Sequence, residues 1–229
     1  MKKALLIASA VAATSLFAVE SNEISFLPLT TPPNANGMML LAIPFDGYDT
    51  TSGGSIAIAD VLLTDTLTAG DKIYLPKGEA GKYDEYTLSN DKTAWTASRV
   101  VDVTSGSILV ASGTPADQAT IQRGKAFWLQ SSAETVKLLG QAASQEKADV
   151  SASAGWQLLA PTTSENDILV SGLAGEKGDV VILANGTRYQ RAASVWKNME
   201  SRAEVTASDV IPAGVGFWYK AAAARTLSL

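Results

Sequence analysis

The chain has 229 residues, 46% of them hydrophobic, with 18 Lys+Arg against 23 Asp+Glu for a net charge of −5, and it contains neither cysteine nor histidine. That length holds one large or two small domains, and the apolar content suffices for a packed core, which excludes global disorder. The missing residue types exclude disulfides, Ser-His-Asp and Cys-His catalysis and imidazole metal sites, while the singly scattered cations argue against strong nucleic-acid binding, which needs a clustered phosphate-neutralising surface.

The first element is "MKKALLIASAVAATSLFA" at residues 1–18: two lysines, an apolar run from Ala4, and a small residue at Ala18. This is the layout of a cleaved secretory signal peptide. Cleavage is expected after Ala18, with a cut after Ser15, which puts Ala13 at minus three, as the fallback. The 16 uncharged residues 4–19 fall short of the roughly 20 that a spanning helix needs. No later segment is apolar enough to span a membrane, so no transmembrane segment is expected after cleavage. Loss of Lys2 and Lys3 moves the net charge from −5 to −7. Mass spectrometry of the native protein should find its first residue between Thr14 and Ser21; an intact Met1 would overturn export.

Beyond the signal, "MMLLAIP" (38–44), "DKIYLP" (71–76), "EYTLS" (85–89), "AFWLQSS" (126–132) and "TVKLLG" (135–140) are short, apolar and bounded by turns. They have strand length, and Ser-Gly-Gly at 52–54 and Gly-Asp at 70–71 supply turn chemistry. "QAASQEKADVSASA" at 141–154 lacks a run of large apolar residues and reads as a linker, placed at 144–152, with a short helix as the competing reading. The elements then recur. "GWQLLAP" at 155–161 matches "GMMLLAIP" at 37–44, "DILV" at 167–170 matches "DVLL" at 60–63, and "GDVVIL" at 178–183 matches "GDKIYL" at 70–75. Trp196 matches Trp95, "IPAGVGFW" at 211–218 matches "IQRGKAFW" at 121–128, and "TLSL" at 226–229 matches "TVKL" at 135–138. The order is the same in both copies, and the offset falls from 118 to about 90, as in a tandem duplication whose second copy has shorter loops. The predicted fold is all-β: two small sandwich-like or barrel-like modules, at 20–143 and 153–229, from an internal duplication. "SVWKNMESRAEV" at 194–205 is the best helical candidate, but its match to the Trp95 segment predicts a strand.

Gly70-Asp71 and Gly178-Asp179 recur before strands. Glycine takes positive φ and aspartate bonds to the backbone two residues on, so a turn is preferred here over paired catalytic or metal-binding carboxylates. In the aromatic segments, side-chain alternation puts Phe127 and Leu129 on one face and Trp128 and Gln130 on the other. Phe217 and Tyr219 likewise oppose Trp218 and Lys220. Phe127 and Phe217 are the predicted core anchors. Trp128, Trp218, Trp95 and Trp196 are the candidate partner contacts, because an exposed indole is a sugar-stacking platform or a protein hot spot. The competing reading makes each tryptophan part of a module core or of the contact between modules. Asp46 and Asp49, in "DGYDTTSGG" at 46–54, offer oxygen ligands for Ca²⁺, but their spacing is not that of an EF-hand loop. No cofactor, metal or catalytic residue is expected.

The order GW-x-L-L-A-P … GD … W … I-x-x-G-x-x-FW … T-x-x-L resembles a β-rich module of secreted or surface-exposed bacterial proteins, mostly uncharacterised. The second copy carries it more fully, through Gly155, Trp156, Leu158, Gly178, Asp179, Trp196, Gly214, Gly216, Phe217 and Trp218. The first has Met38 where Trp156 stands, and Lys125 and Ala126 where Val215 and Gly216 stand. The resemblance implies exported β-architecture and no activity. The expected function is that of an exported non-enzymatic structural or protein-interaction protein, periplasmic or extracellular, in a Gram-negative-type bacterium. The alternatives are a polysaccharide-binding protein using surface tryptophans, whose partner is a cell-surface glycan, and a carboxylate-dependent hydrolase. They separate on structure: sugar binding takes a coplanar exposed aromatic strip, and hydrolysis a cleft with facing carboxylates.

Overall fold

The computed structural model describes residues 24–30, 37–45, 55–77, 81–102, 104–109, 114–141, 148–163 and 166–229. The expected signal peptide at 1–18 and the loop carrying Asp46 and Asp49 lie outside the described residues. Among the described residues no helix is long and apolar enough to cross a membrane.

The fold is all-β. In the first half the strands are β1 (Ile24–Thr30), β2 (Met38–Ala42), β3 (Ser55–Ala57), β4 (Lys72–Pro76), β5 (Lys82–Leu88), β6 (Trp95–Asp102), β7 (Ser107–Leu109), β8 (Thr120–Gln122), β9 (Ala126–Gln130) and β10 (Thr135–Gln141). In the second they are β11 (Asp149–Ala152), β12 (Gly155–Leu159), β13 (Ile168–Leu169), β14 (Val180–Leu183), β15 (Arg188–Ala192), β16 (Val195–Asn198), β17 (Val210–Ile211), β18 (Phe217–Ala221) and β19 (Arg225–Ser228). All pairings of these strands are antiparallel. The main sheet of the first half runs β2-β9-β4-β5-β6-β7, and that of the second β12-β18-β14-β15-β16. Each half adds two short ladders, β3-β8 and β1-β10 in the first, β13-β17 and β11-β19 in the second. The two halves thus share one strand order, with β7 extra in the first.

Pairing register shows which positions correspond. Leu40 faces Trp128 as Leu158 faces Trp218, and Ile73 faces Leu129 as Val181 faces Tyr219. Trp95 and Trp196 also correspond, facing Leu88 and Arg191. One sequence match fails. Ile168 pairs with Ile211 as Ile56 pairs with Ile121, so "DILV" occupies the place of β3 and not that of "DVLL" at 60–63. The segment 144–152 is not wholly linker: Asp149–Ala152 forms β11 and pairs with β19. Residues 194–205 carry β16 followed by a turn, not a helix.

Each half has its own core between its main sheet and its short ladders. Phe127, Leu129, Ile73 and Tyr86 meet Ile56, Ile121, Val136 and Leu138 in the first. Phe217, Tyr219, Val181 and Tyr189 meet Val150, Ile168, Ile211 and Leu227 in the second. Period-two alternation puts the intervening residues on the opposite, outer faces.

A third cluster, of Leu40, Ala42, Tyr83, Ala126, Leu158 and Ala160, joins the two halves through those outer faces. The backbone contacts across it are reciprocal. Ala42 N–H donates to Gly214 O at 2.9 Å and Ala160 N–H to Gly124 O at 2.9 Å, while Leu41 bridges Val215 and Leu159 bridges Lys125. Gly216 N–H also donates to Leu40 O at 3.0 Å, and the Arg123 guanidinium donates through Nε to Thr162 O at 2.8 Å. Gly216 has no room for a side chain: a Cβ there would sit 2.5 Å from Ala126 Cβ and 2.9 Å from Leu40 Cγ. Gly216→Val should therefore force the junction apart and cost about 1–3 kcal/mol, the range for overpacking. Differential scanning calorimetry should show a lower midpoint; an unchanged midpoint would mean that this contact is dispensable.

Candidate functional site

The Gly-Asp pairs are framework. Gly70 and Gly178 have φ of +90° and +98°, and only glycine adopts this backbone without strain. The aspartates do not bond two residues on. Each accepts from an amide three residues back, Asp71 from Thr68 at 2.9 Å and Asp179 from Glu176 at 2.8 Å. Asp71 also accepts from the Ser131 hydroxyl at 2.5 Å. Asp179, 0% exposed, accepts from the Tyr219 hydroxyl at 2.6 Å and the Ala222 amide at 2.7 Å, and pairs with Arg225 at 3.0 Å. Burial pushes the Asp179 carboxyl up, but these donors and the arginine outweigh it and hold the group below the ordinary carboxylate range. The same burial and the carboxylate partner push the Tyr219 hydroxyl well above its ordinary value.

Two of the four candidate tryptophans lie in the cores. Trp95 is 5% exposed and Trp196 1%, because both sit on the inward face of their strands. The Trp196 indole N–H donates to Leu173 O at 3.0 Å. The Trp95 N–H is shielded and has no partner among the described residues. The chain between Ile58 and Asp71 is four residues longer than that between Val170 and Asp179. Part of it runs beside β10 instead, with Leu63 N–H on Lys137 O and Leu139 N–H on Val61 O, both at 3.0 Å. Trp95 also lines an open cleft of about 470 Å³ with Ala59, Thr93, Pro115, Ala116 and Asp117. Asp117 is its one acidic side chain, whereas glycoside hydrolysis by carboxylates normally takes two.

Trp128 and Trp218 are half-buried on the outer faces and pack, with Tyr74, against the junction cluster. Register lines up Leu40, Trp128, Tyr74, Glu85 and Arg99 across β2, β9, β4, β5 and β6. Burial pushes the Tyr83 hydroxyl up, while the Trp128 indole, donating to it, pulls it back. Glu85 is 2% exposed. Arg99 pairs with it, Nη2 donating to Oε2 at 3.1 Å and Nε lying 3.0 Å from Oε1, and Lys72 Nζ lies 3.4 Å from Oε1. Burial and the neighbouring Glu85 charge push the Tyr74 hydroxyl up to about 12. The cations of this face are thus occupied.

The outer face of the second half is different. Trp156 is 47% exposed and was not among the candidate contacts. It stands edge-to-face with Trp218, ring centres 6.4 Å apart and planes at 87°, and Lys220 Nζ lies 5.8 Å from the Trp156 ring centre. One row across the sheet reads Trp156, Lys220, Val180, Gln190 and Lys197, and the next Leu158, Trp218, Ile182 and Arg188. None of Lys220, Lys197 and Arg188 forms an ion pair among the described residues. Glu204, bridged through the backbone to Lys197, adds an acid at the rim of this face. The perpendicular indoles do not form the coplanar strip that stacking on successive sugars would take.

No family model, no curated protein and no solved structure matches this chain.

Proposed function

We propose that the chain is an exported, non-enzymatic interaction protein of the bacterial envelope or exterior, and that it meets its partner through the outer face of the second module. The observation that carries this reading is Trp156, a large apolar ring left exposed beside Trp218 and Lys220. An exposed indole with an aromatic neighbour is the side chain most able to dominate a contact. The buried acids support the non-enzymatic part: Asp71, Asp179 and Glu85 are each consumed by framework hydrogen bonds or ion pairs. The signal-like N-terminus supports export, and the shared strand order supports an internal duplication.

Purified mature protein should bind isolated cell envelopes or shed surface material, and Trp156→Ala should weaken that binding at least about tenfold, equivalent to 1.4 kcal/mol, with an unchanged melting temperature. Retained binding in the variant, or turnover of a glycan, peptide or ester by the wild type, would overturn the proposal.

A further inference from the structure

Three cations that form no ion pair among the described residues share one sheet face with the exposed indole, and such a face favours a partner that carries negative charge. The chain as a whole is acidic, at −5, so the cationic face is a local reversal of sign built by register from residues far apart in sequence. We infer that this face binds an acidic polysaccharide, a sugar polymer bearing carboxylates, with Lys220, Lys197 and Arg188 meeting the carboxylates and Trp156 one sugar ring. The inference rests on the interaction reading above and specifies its partner.

The dimensions favour a single polymer chain over a globular protein. Strands lie about 4.8 Å apart, so the row from Trp156 to Lys197 spans about 19 Å, and two residues along each strand give a width of about 7 Å. That is an elongated strip, the shape a single extended polymer chain covers. Two of the three cations are lysines, which are depleted at protein interfaces. Nucleic acid fits less well, since its dense phosphates demand many more neutralising cations than this acidic chain groups together. A neutral glycan lacks what it needs, because the indoles stand perpendicular and only one of them is well exposed. Charge must supply the recognition that coplanar stacking would otherwise give.

The test is titration calorimetry of the full mature chain with polygalacturonate, a neutral glucan of matched length, poly-glutamate and single-stranded DNA, at low and high salt. Polygalacturonate should bind, salt should weaken it, and the neutral glucan should not bind. The Arg188→Gln/Lys220→Gln pair should lose roughly tenfold in affinity, the sum expected for two exposed ion pairs. Lys177→Gln, which removes one positive charge from an exposed turn outside the two rows, should change nothing. Equal binding of the neutral glucan, equal loss in Lys177→Gln, or tighter binding of poly-glutamate or DNA would overturn the inference. So would no binding of polygalacturonate; if Trp156→Ala still lost envelope binding, the interaction reading would stand without it. If envelope binding survived Trp156→Ala while polygalacturonate bound as expected, the reverse would hold.

Discussion

Asp179→Ala should destabilise the protein by about 3–5 kcal/mol, the cost of breaking a buried ion pair from one side. The loss strands the Tyr219 hydroxyl, which is fully buried, along with the Ala222 and Glu176 amides, and leaves the largely shielded Arg225 guanidinium with only the exposed Glu176 carboxylate, at 3.2 Å, as its ion partner. Asp71→Ala should cost less, about 1–3 kcal/mol, because it leaves two neutral hydrogen-bond donors and no cation unpaired. Urea melts of the two variants check the order; equal losses would mean that Arg225 contributes nothing. The pair also sets a pH window. The folded-state carboxyl of Asp179 titrates below its unfolded value, so its stabilisation is present above about pH 4 and lost as pH falls through the folded value. The Tyr219 hydroxyl titrates above its unfolded value, so its share is present below about pH 10 and lost as pH rises beyond it. Asp179→Asn should flatten the acid limb of the stability profile, and an unaltered limb would assign acid unfolding to other carboxylates.

Phe127→Ala and Phe217→Ala should each cost about 3–5 kcal/mol, as removal of a buried phenylalanine does elsewhere. Both rings are completely shielded and sit at the start of the strand that is central to its half's pairing, β9 between β2 and β4 and β18 between β12 and β14. Each strand is pinned on both sides, so neighbours cannot collapse into the space and the cavity term stays. A loss below about 1 kcal/mol in either variant would show that the surrounding core had closed over the gap.

The core face was legible because alternation is local: a strand reading Phe-Trp-Leu-Gln or Phe-Trp-Tyr-Lys declares its own inward side. The aspartate turns were half legible. Glycine before aspartate announced the bend, but beyond the local Glu176 amide the partners of Asp179 lie in residues 219, 222 and 225, and no spacing rule reaches that far. Strand β11 was missed because Val150 is its one large apolar residue, and its pairing with β19 stabilises a segment that looks like a linker by composition. The site was least legible. Trp156 sits in "GWQLLAP", a stretch that reads as framework, and its exposure follows from facing Lys220 rather than a core residue. Lys197, Arg188 and Lys220 look like single charges in the chain, and register alone gathers them.

The reciprocal junction makes the chain divisible. The Ala42 and Ala160 amides each donate to a carbonyl of the opposite half, and Leu40 and Leu158 lie in one cluster that both halves build. Cutting the backbone between Gln141 and Ala148 would leave two fragments, each with its own core and a matching unsatisfied edge. Such fragments should reassemble when mixed, as in a split reporter. The covalent link makes association of the halves intramolecular, and a nick there should turn a unimolecular melting transition into one that depends on protein concentration.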